Sequence, residues 1–425
     1  MIYDVIVIGG GASGLMAAVT AGACGARVLL LEKNKTLGKK LLLTGGGRCN
    51  VTNNCSIDEI VANIPGNGKF LYSALSEFDN VDIRNFFESR GVKLKEEDAG
   101  RLFPVTDKAQ SILDIFIKEL KKTDVNVLYN EAVSDLLTEH GSICAVKSVS
   151  GKIFKAYKVI IATGGKSYPS TGSTGDGYKL LRDIGHSITE LYAAEAPLIS
   201  HEDFIKNQVL RAVSLKEVVL SVLNKKGRAV TRHKSDMIFT HFGISGPAAL
   251  RCSTFVHSVK KLENTDFVYM KLDSLPDYDR SDFDKNLSIW LKTSPNKSVK
   301  SYLKQLLPER YVILLMSYAK VDAQLPIKLL SKSAAERIFD AIHNFRFKVH
   351  GTVPAEKSFV TGGGVRLSEI NPKSMESKLI SGLYICGELL DINGYTGGYN
   401  ITAAFVSGHA AGSFAAERIY LKGDC

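Results

Sequence analysis

The sequence predicts an α/β protein built on a parallel sheet, and three stretches carry that prediction. Met1–Ile8 (MIYDVIVI) is a short run rich in β-branched residues, the composition of a buried parallel strand. GGGASG follows at once and sets Gly9, Gly11 and Gly14 in G-x-G-x-x-G spacing. From Leu15 to about Gly25 the chain is small and apolar, as in a helix packed closely on a sheet; Arg27–Leu31 (RVLLL) is a second strand, with Glu32 at its end.

Each part has a physical task. Gly9 permits the tight turn out of the strand, Gly11 lets backbone approach a pyrophosphate, and Gly14 lets the helix sit against the strands. The helix N-terminus, at Ala12 and Ser13, offers free N–H groups to phosphates. Glu32, 18 positions beyond Gly14, is placed to accept hydrogen bonds from a ribose, with Lys33 beside it. A carboxylate there favours an unphosphorylated ribose, hence FAD or NAD over NADP. Strand, turn, helix, second strand and acid together predict a Rossmann-like dinucleotide site.

A chain of 425 residues is too long for one ordinary core, so several domains are expected. Hydrophobic residues at 45% and charged residues at 23% describe a soluble globular protein. The net charge is +10, with Lys and Arg dispersed except at Asn224–Arg228 (NKKGR) and Arg232–Lys234 (RHK). Dispersed charge favours a solvated hairpin over a nucleic-acid patch. Seven cysteines, with no C-x-x-C, point to reduced thiols in a cytoplasm and to no metal site. The N-terminal apolar run is the first strand rather than a signal peptide, and no apolar stretch reaches membrane-spanning length.

Beyond Glu32, Lys33–Asn54 groups Lys39, Lys40 and Arg48 with Thr44, Asn50 and three consecutive glycines, Gly45–Gly47. Such backbone with fixed cations and amides can wrap a polyanionic cofactor and the polar edge of a flavin. Residues 57–105 read as mostly helical and mixed. Gln110–Lys122 is an amphipathic helix, with Leu113, Phe116, Ile117 and Leu120 on one face. From Val125, VNVLYN, AVSDLLTE, SICAVKSVS and KIFKAYKVII read as successive strands of a β-meander inserted in the parallel sheet. The last ends in Thr163 and Gly164, where backbone can again approach a cofactor. Ser167–Tyr178 is a glycine- and hydroxyl-rich stretch in which Tyr168 can face the ring or pack in the turn, ahead of a helix Gly177–Ile184.

Composition shifts near Ile188. Short strands VVLSVLN, GRAVTRH, MIFTHFGIS and FVYMKLD predict a compact β-domain, with Pro247 able to start a helix. His241, beside Phe242 and Gly243, can reach an active site or simply make structural hydrogen bonds. Residues 279–343 are helical, and strand character returns at Phe345–Val353. The resulting division is 1–187 and 357–425 as the two parts of a cofactor domain, 188–274 with 345–356 as a β-barrel substrate domain, and 275–344 as a helical insert. The C-terminal part holds Gly382–Asn400 (GLYICGELLDINGYTGGYN), then a long helix Ile401–Leu421 with Gly408, Ala411 and Gly412 set for close packing. Its N-terminus, fed by Gly397 and Gly398, can favour negative charge on a reduced flavin.

IGGGASGLMAA, GKKLLLTGGGRCNVTN, ATGGKSYPSTGSTGDGY, FTHFGISGP, VTGGGV and GLYICGELLDINGYTGGYN together resemble the bacterial BaiN-like, or YhiN-like, FAD-dependent flavoproteins, the aminoacetone oxidase family. The resemblance spans residues 1–421. It implies FAD held between the N- and C-terminal segments, a β-barrel substrate domain and a helical insert. Gly9, Gly11, Gly14 and Glu32 would then hold the ADP half, with Val133 contacting adenine through its backbone. Lys40, Thr44, Gly45, Arg48, Cys49 and Asn50 would line the flavin side. Gly387, Glu388, Asp391, Gly398, Asn400 and Ile401 would close it.

These readings predict an FAD-dependent oxidoreductase of a small organic substrate, with NAD(P)H as donor for reducing a conjugated C=C or carbonyl group. An oxygen-using oxidase of aminoacetone-type amines is one alternative, and an RNA-binding, tRNA-modifying flavoprotein is another. The candidate catalytic residues are Arg48, Tyr168, His241 and Tyr395, with Arg48 ranked first as a fixed cation. The oligomeric state is not legible in the sequence.

Overall fold

β1 (Ile2–Ile8), α1 (Ala12–Ala23) and β2 (Val28–Glu32) form the expected strand–helix–strand unit. β1 and β2 pair in parallel, Val5 opposite Val28 through Ile8 opposite Leu31, and every residue of β2 is buried. The computed structural model of the chain describes residues 1–420. It divides into two units, Met1–Tyr192 with Ala355 onward, and Ala193–Pro354.

The first unit is organised on one seven-stranded sheet. Its further strands are β3 (Asn126–Tyr129), β4 (Val133–Glu139), β5 (Ser142–Ser148), β6 (Ile153–Ile161) and β7 (Leu383–Ile385). The order is β3-β2-β1-β6-β5-β4, with β7 also paired to β6. β4, β5 and the start of β6 are the antiparallel meander. The end of β6 runs parallel between β1 and β7. VNVLYN, read as a meander strand, is instead β3, a parallel edge strand on β2. Its alternation suits either pairing, and only the distant partner decides.

Four further helices dress this sheet at the points that matter. α2 (Lys39–Gly47) follows β2, and α3 (Ala109–Lys122) buries Ile112, Leu113, Phe116 and Leu120. α4 (Asp176–Asp183) follows the glycine- and hydroxyl-rich stretch. α5 (Tyr399–Tyr420) crosses α1 with backbones in contact: a Cβ added to Gly408 would lie 2.3 Å from Ser13 O, and one on Gly412 2.4 Å from Ala17 O. Residues 57–105, read as mostly helical and mixed, also contribute Leu94–Glu97 and Arg101–Pro104 to a small antiparallel sheet with Thr52–Asn53.

The second unit is a seven-stranded antiparallel sheet. Its order is Phe345–Val349, Val268–Asp273, Ser214–Leu223, Ala229–Phe239, Gly243–Ser245, Leu198–Ile199 and Gly351–Thr352. The first and last of these are joined by His350 alone, so the two edges of the sheet come together. Pro247 is indeed the first residue of a helix, Pro247–Glu263. GRAVTRH and MIFTHFGIS are largely one continuous strand, Ala229–Phe239, because KSD between them stays extended. The helices Arg280–Thr293, Val299–Leu303, Glu309–Tyr318 and Lys332–His343 contribute Phe283, Tyr302, Tyr311, Leu315 and Ile338 to the same core as Leu220, Met270 and Phe345. No helix among the described residues is long and apolar enough to cross a membrane.

Candidate active site

The phosphate end is built from α1. A Cβ on Gly14 would lie 1.9 Å from Gly9 O, so only glycine fits there. Gly11 differs, because nothing lies within 4 Å of a Cβ built on it. α1 starts at this open space with no side chain capping its free N–H groups. A helix end of that kind binds phosphate.

Glu32 closes the ribose side. It is buried at 6% exposure; Oε2 accepts the Gly10 N–H at 2.8 Å, and Oε1 accepts Asn34 N–H and Nδ2 at 2.7 Å. An ionised carboxylate has about four acceptor positions, so capacity for a ribose hydroxyl remains. The Glu131 N–H donates to Glu32 O at 3.0 Å, and Val133, two residues on, opens β4 opposite Ser148. Lys33 is engaged by Thr174 Oγ1 at 2.6 Å and Asp176 at 2.5 Å.

The flavin side is where two sequence-remote turns meet. α2 breaks at Thr44, and Gly45, Gly46 and Gly47 all have positive φ, at 57°, 68° and 89°. Cys49 follows with φ 63°, strained for an L-residue. Its thiol is fully buried and is pushed up to about 12 by that burial, against a smaller opposing effect of Thr44. The C-terminal turn lies directly over this segment. A Cβ on Gly398 would be 2.7 Å from Thr52 O and 3.1 Å from Asn50 Oδ1. Thr52 and Thr402 share a hydroxyl hydrogen bond of 2.7 Å, and Asn53 Nδ2 donates to Gly397 O at 3.0 Å. Asn400 pins the turn, accepting the Gly394 N–H at 2.8 Å and donating to Gly394 O at 2.8 Å and Tyr395 O at 3.2 Å. Ile401 is half-buried on the first turn of α5.

Two polar atoms in this region are buried without a hydrogen-bond partner, Asn50 Oδ1 and Thr163 Oγ1. Buried orphans are costly and mark missing partners. Together with the open space at Gly11 and the uncapped α1, they fit an FAD. Among the described residues there is no cluster of three potential metal ligands.

Lys40 and Glu388 brace the cradle. Lys40 Nζ lies 2.7 Å from Glu388, which also accepts Ser167 Oγ at 2.9 Å and the Thr361 N–H at 2.8 Å. Burial alone would raise the Glu388 carboxyl, but Lys40 and these donors outweigh it and hold it below the usual range. Gly387 precedes it, its N–H donating to Ser407 Oγ at 3.0 Å. Asp391 accepts Thr189 Oγ1 at 3.1 Å. Gly164, with φ 76°, sits between Thr163 and this network.

The catalytic candidates are distributed unevenly. Arg48 Nη1 is 2.7 Å from Glu97 and 3.5 Å from Asp107, with its guanidinium 4.1 Å from the Phe103 ring centre. Its charge is thus largely matched by acids. Tyr168 is held at φ 53°, its ring 6.0 Å from Phe359. Tyr395 is buried, its N–H donating to Asn63 O at 2.9 Å. These three belong to the first unit. His241 belongs to the second, exposed and edge-on to Phe242 at 4.9 Å. Sequence reasoning missed Ser167 and Thr361 as partners of Glu388, and Glu97 and Asp107 as partners of Arg48. Ser167 and Thr361 lie inside the glycine-rich motifs, so a signal existed; the acids carry none.

Comparison with known proteins extends this picture. The model of the HI0933-like protein Rossmann domain matches residues 3–414. A ribosomal RNA dihydrouridine synthase of Escherichia coli is 32% identical over 410 residues, 96% of each chain. A 3-dehydro-bile acid delta(4,6)-reductase of Clostridium scindens is 31% identical over 422 residues, 97% of this chain and 98% of that one. Among solved structures, a 3-ketosteroid delta1-dehydrogenase from Sterolibacterium denitrificans aligns with TM-score 0.52 at 14% identity, covering 98% of this chain and 100% of that one, a likeness of fold. With its sequence matched nearly end to end and its glycine turns meeting around one cradle, the chain belongs to the HI0933-like family and is an FAD-dependent oxidoreductase.

Proposed function

We propose that this protein reduces a carbon–carbon double bond conjugated with a carbonyl group, and that its substrate is a uracil base in ribosomal RNA. The observation that carries the reading is the end-to-end similarity to a ribosomal RNA dihydrouridine synthase. Uracil and an unsaturated 3-keto steroid share one reactive unit, an alkene polarised by a carbonyl, so both full-length relatives call for the same hydride chemistry. The net charge of +10 suits a polyanionic substrate.

A bound FAD would supply hydride chemistry, with NAD(P)H as the donor and the alkene carbon remote from the carbonyl as the acceptor. The chain does the rest. The N-terminus of α1 binds the pyrophosphate, Glu32 the ribose, and Asn50 and Thr163 gain partners for their orphaned oxygens. The N-terminus of α5 favours negative charge beside it, with Arg48 as a second, acid-matched cation. Tyr168, only half-buried, delivers the proton to the adjacent carbon.

The bile-acid relative supports a second reading, a small unsaturated ketone as substrate. Anaerobic stopped-flow separates the two. NAD(P)H should bleach the flavin, and protein-free ribosomal RNA should restore its colour. Recovery with an unsaturated 3-keto steroid alone would favour the second reading. Failure of NAD(P)H to bleach it, with rapid turnover of aminoacetone in air, would replace both by the oxidase.

A further inference from the structure

The second unit carries a row of cations that the flavin site does not use. Four strands place Arg346, Lys271, Ser221 and Arg232 directly opposite one another, neighbour to neighbour, on one face. Lys271 and Arg346 are like charges on a cross-strand pair, an arrangement that destabilises a sheet on its own. Between Lys271 and Arg232 stands Ser221, wholly buried, its hydroxyl without a hydrogen-bond partner. In the next row Lys348 faces Tyr269, which is 44% exposed. Lys348 Nζ also lies 4.5 Å from the Phe267 ring centre.

Of the acids on or beside this face, Asp236 accepts only the Glu217 N–H, at 3.0 Å, and two others are held by cations or a histidine. Asp273 is bound by His343 Nδ1 at 2.9 Å, and Asp277 by Lys234 at 2.6 Å. Lys271 Nζ donates to the neutral Asn344 at 3.0 Å. Among the described residues, Arg232 and Arg346 have no ion-pair partner.

The geometry points to this face as the docking surface for single-stranded RNA, an inference that rests on the RNA reading of the substrate. Lys271, Arg232, Arg346 and Lys348 neutralise successive phosphates, and Tyr269 offers a ring on which a base stacks. Unstacked bases held on aromatic side chains beside backbone-tracking cations are the usual means of binding single strands.

Fluorescence anisotropy with the FAD-loaded full chain and a short labelled uridine-containing RNA tests the inference across a salt series. The triple variant Arg232→Gln, Lys271→Gln, Arg346→Gln should weaken binding at least tenfold at low salt. It should also flatten the slope of log affinity against log salt by about 2, at roughly 0.7 for each phosphate of a single strand that is no longer neutralised. A control triple on α3, Lys118→Gln, Lys121→Gln, Lys122→Gln, makes the same charge change and should leave the slope unaltered. Tyr269→Ala should weaken binding severalfold with the slope intact. Equal losses from the two triples, or an unchanged slope in the first, would overturn the inference, as would equally tight binding of polyglutamate. Flavin reoxidation by the same RNA is followed in parallel. Salt-dependent binding without reoxidation would sink the uracil reading while leaving the surface in place.

Discussion

Gly11 and Gly14 lie three residues apart in one motif, yet the structure predicts opposite consequences for adding a single methyl group. At Gly14 the new carbon would sit 1.9 Å from Gly9 O, an impossible contact with backbone on the sheet side. Gly14→Ala should therefore disturb β1 and α1 together, costing about 3 kcal/mol or more, and leave little folded protein. At Gly11 the carbon meets nothing within 4 Å, and φ is −84°, open to any residue. Gly11→Ala should lower the stability of the apoprotein by less than about 1 kcal/mol, the usual cost of alanine in place of glycine at a helix N-cap. The same carbon points into the space assigned to the pyrophosphate. An intrusion there costs about 1–3 kcal/mol of binding, a loss of roughly 5- to 150-fold in FAD affinity. Thermal melts of the apoproteins and FAD titrations followed by flavin fluorescence read both quantities. If Gly11→Ala binds FAD as tightly as the parent, or melts as early as Gly14→Ala, the placement of the phosphate is wrong.

Three further outcomes are expected. Asn50→Leu removes a buried oxygen that lacks a partner, so the apoprotein should be no less stable while FAD affinity falls severalfold; equilibrium unfolding and flavin titration would show a destabilised apoprotein if the oxygen were satisfied. Glu388 is held below its ordinary value, so its contribution to stability is present above about pH 4.3, the unfolded value, and disappears as pH falls through the lower folded value. Lys40→Met should move acid unfolding to higher pH and cost about 1–3 kcal/mol, tempered because the pair is 20–25% exposed; circular dichroism during acid titration checks this, and an unmoved midpoint would refute it. Alkylation of the native protein at mildly alkaline pH should modify exposed Cys24 and spare Cys49, Cys252 and Cys386, all fully buried. Peptide mass spectrometry showing Cys49 modified without denaturant would contradict the described packing.

The fold is most legible where local sequence and tertiary role coincide. The run Met1–Glu32 can be read through because strand composition, glycine spacing and the terminal acid all describe one compact unit. Helix boundaries follow for the same reason: Ala109–Lys122 and Tyr399–Tyr420 carry their stripe or their small residues in the chain itself. Pairing is less legible. Asn126–Tyr129 alternates like its meander neighbours, yet its partner is β2, nearly a hundred residues back in the chain. Ala229–Phe239 reads as two strands because KSD resembles a turn, although polar residues are natural on the exposed face of an antiparallel strand. At the site, both glycine-rich turns stand out in composition, but only Gly397–Gly398 precedes a helix start; Gly45–Gly47 ends α2 and leads into Thr52–Asn53. The partners of Arg48 do not stand out, since Glu97 and Asp107 lie in a stretch with no motif and reach it only through the small sheet. A cation that looks free in the sequence is matched in the structure.

Hydrogen exchange of the apoprotein with and without FAD tests the cradle most directly, because it reads both ends of the chain in one experiment. Addition of FAD should slow exchange together in three separate segments, residues 9–15, 44–53 and 397–402, while the second unit changes little. Protection confined to residues 9–15, with the GGGRCN and GYTGGYN turns unaffected, would mean that those turns meet each other for some reason other than to hold the flavin.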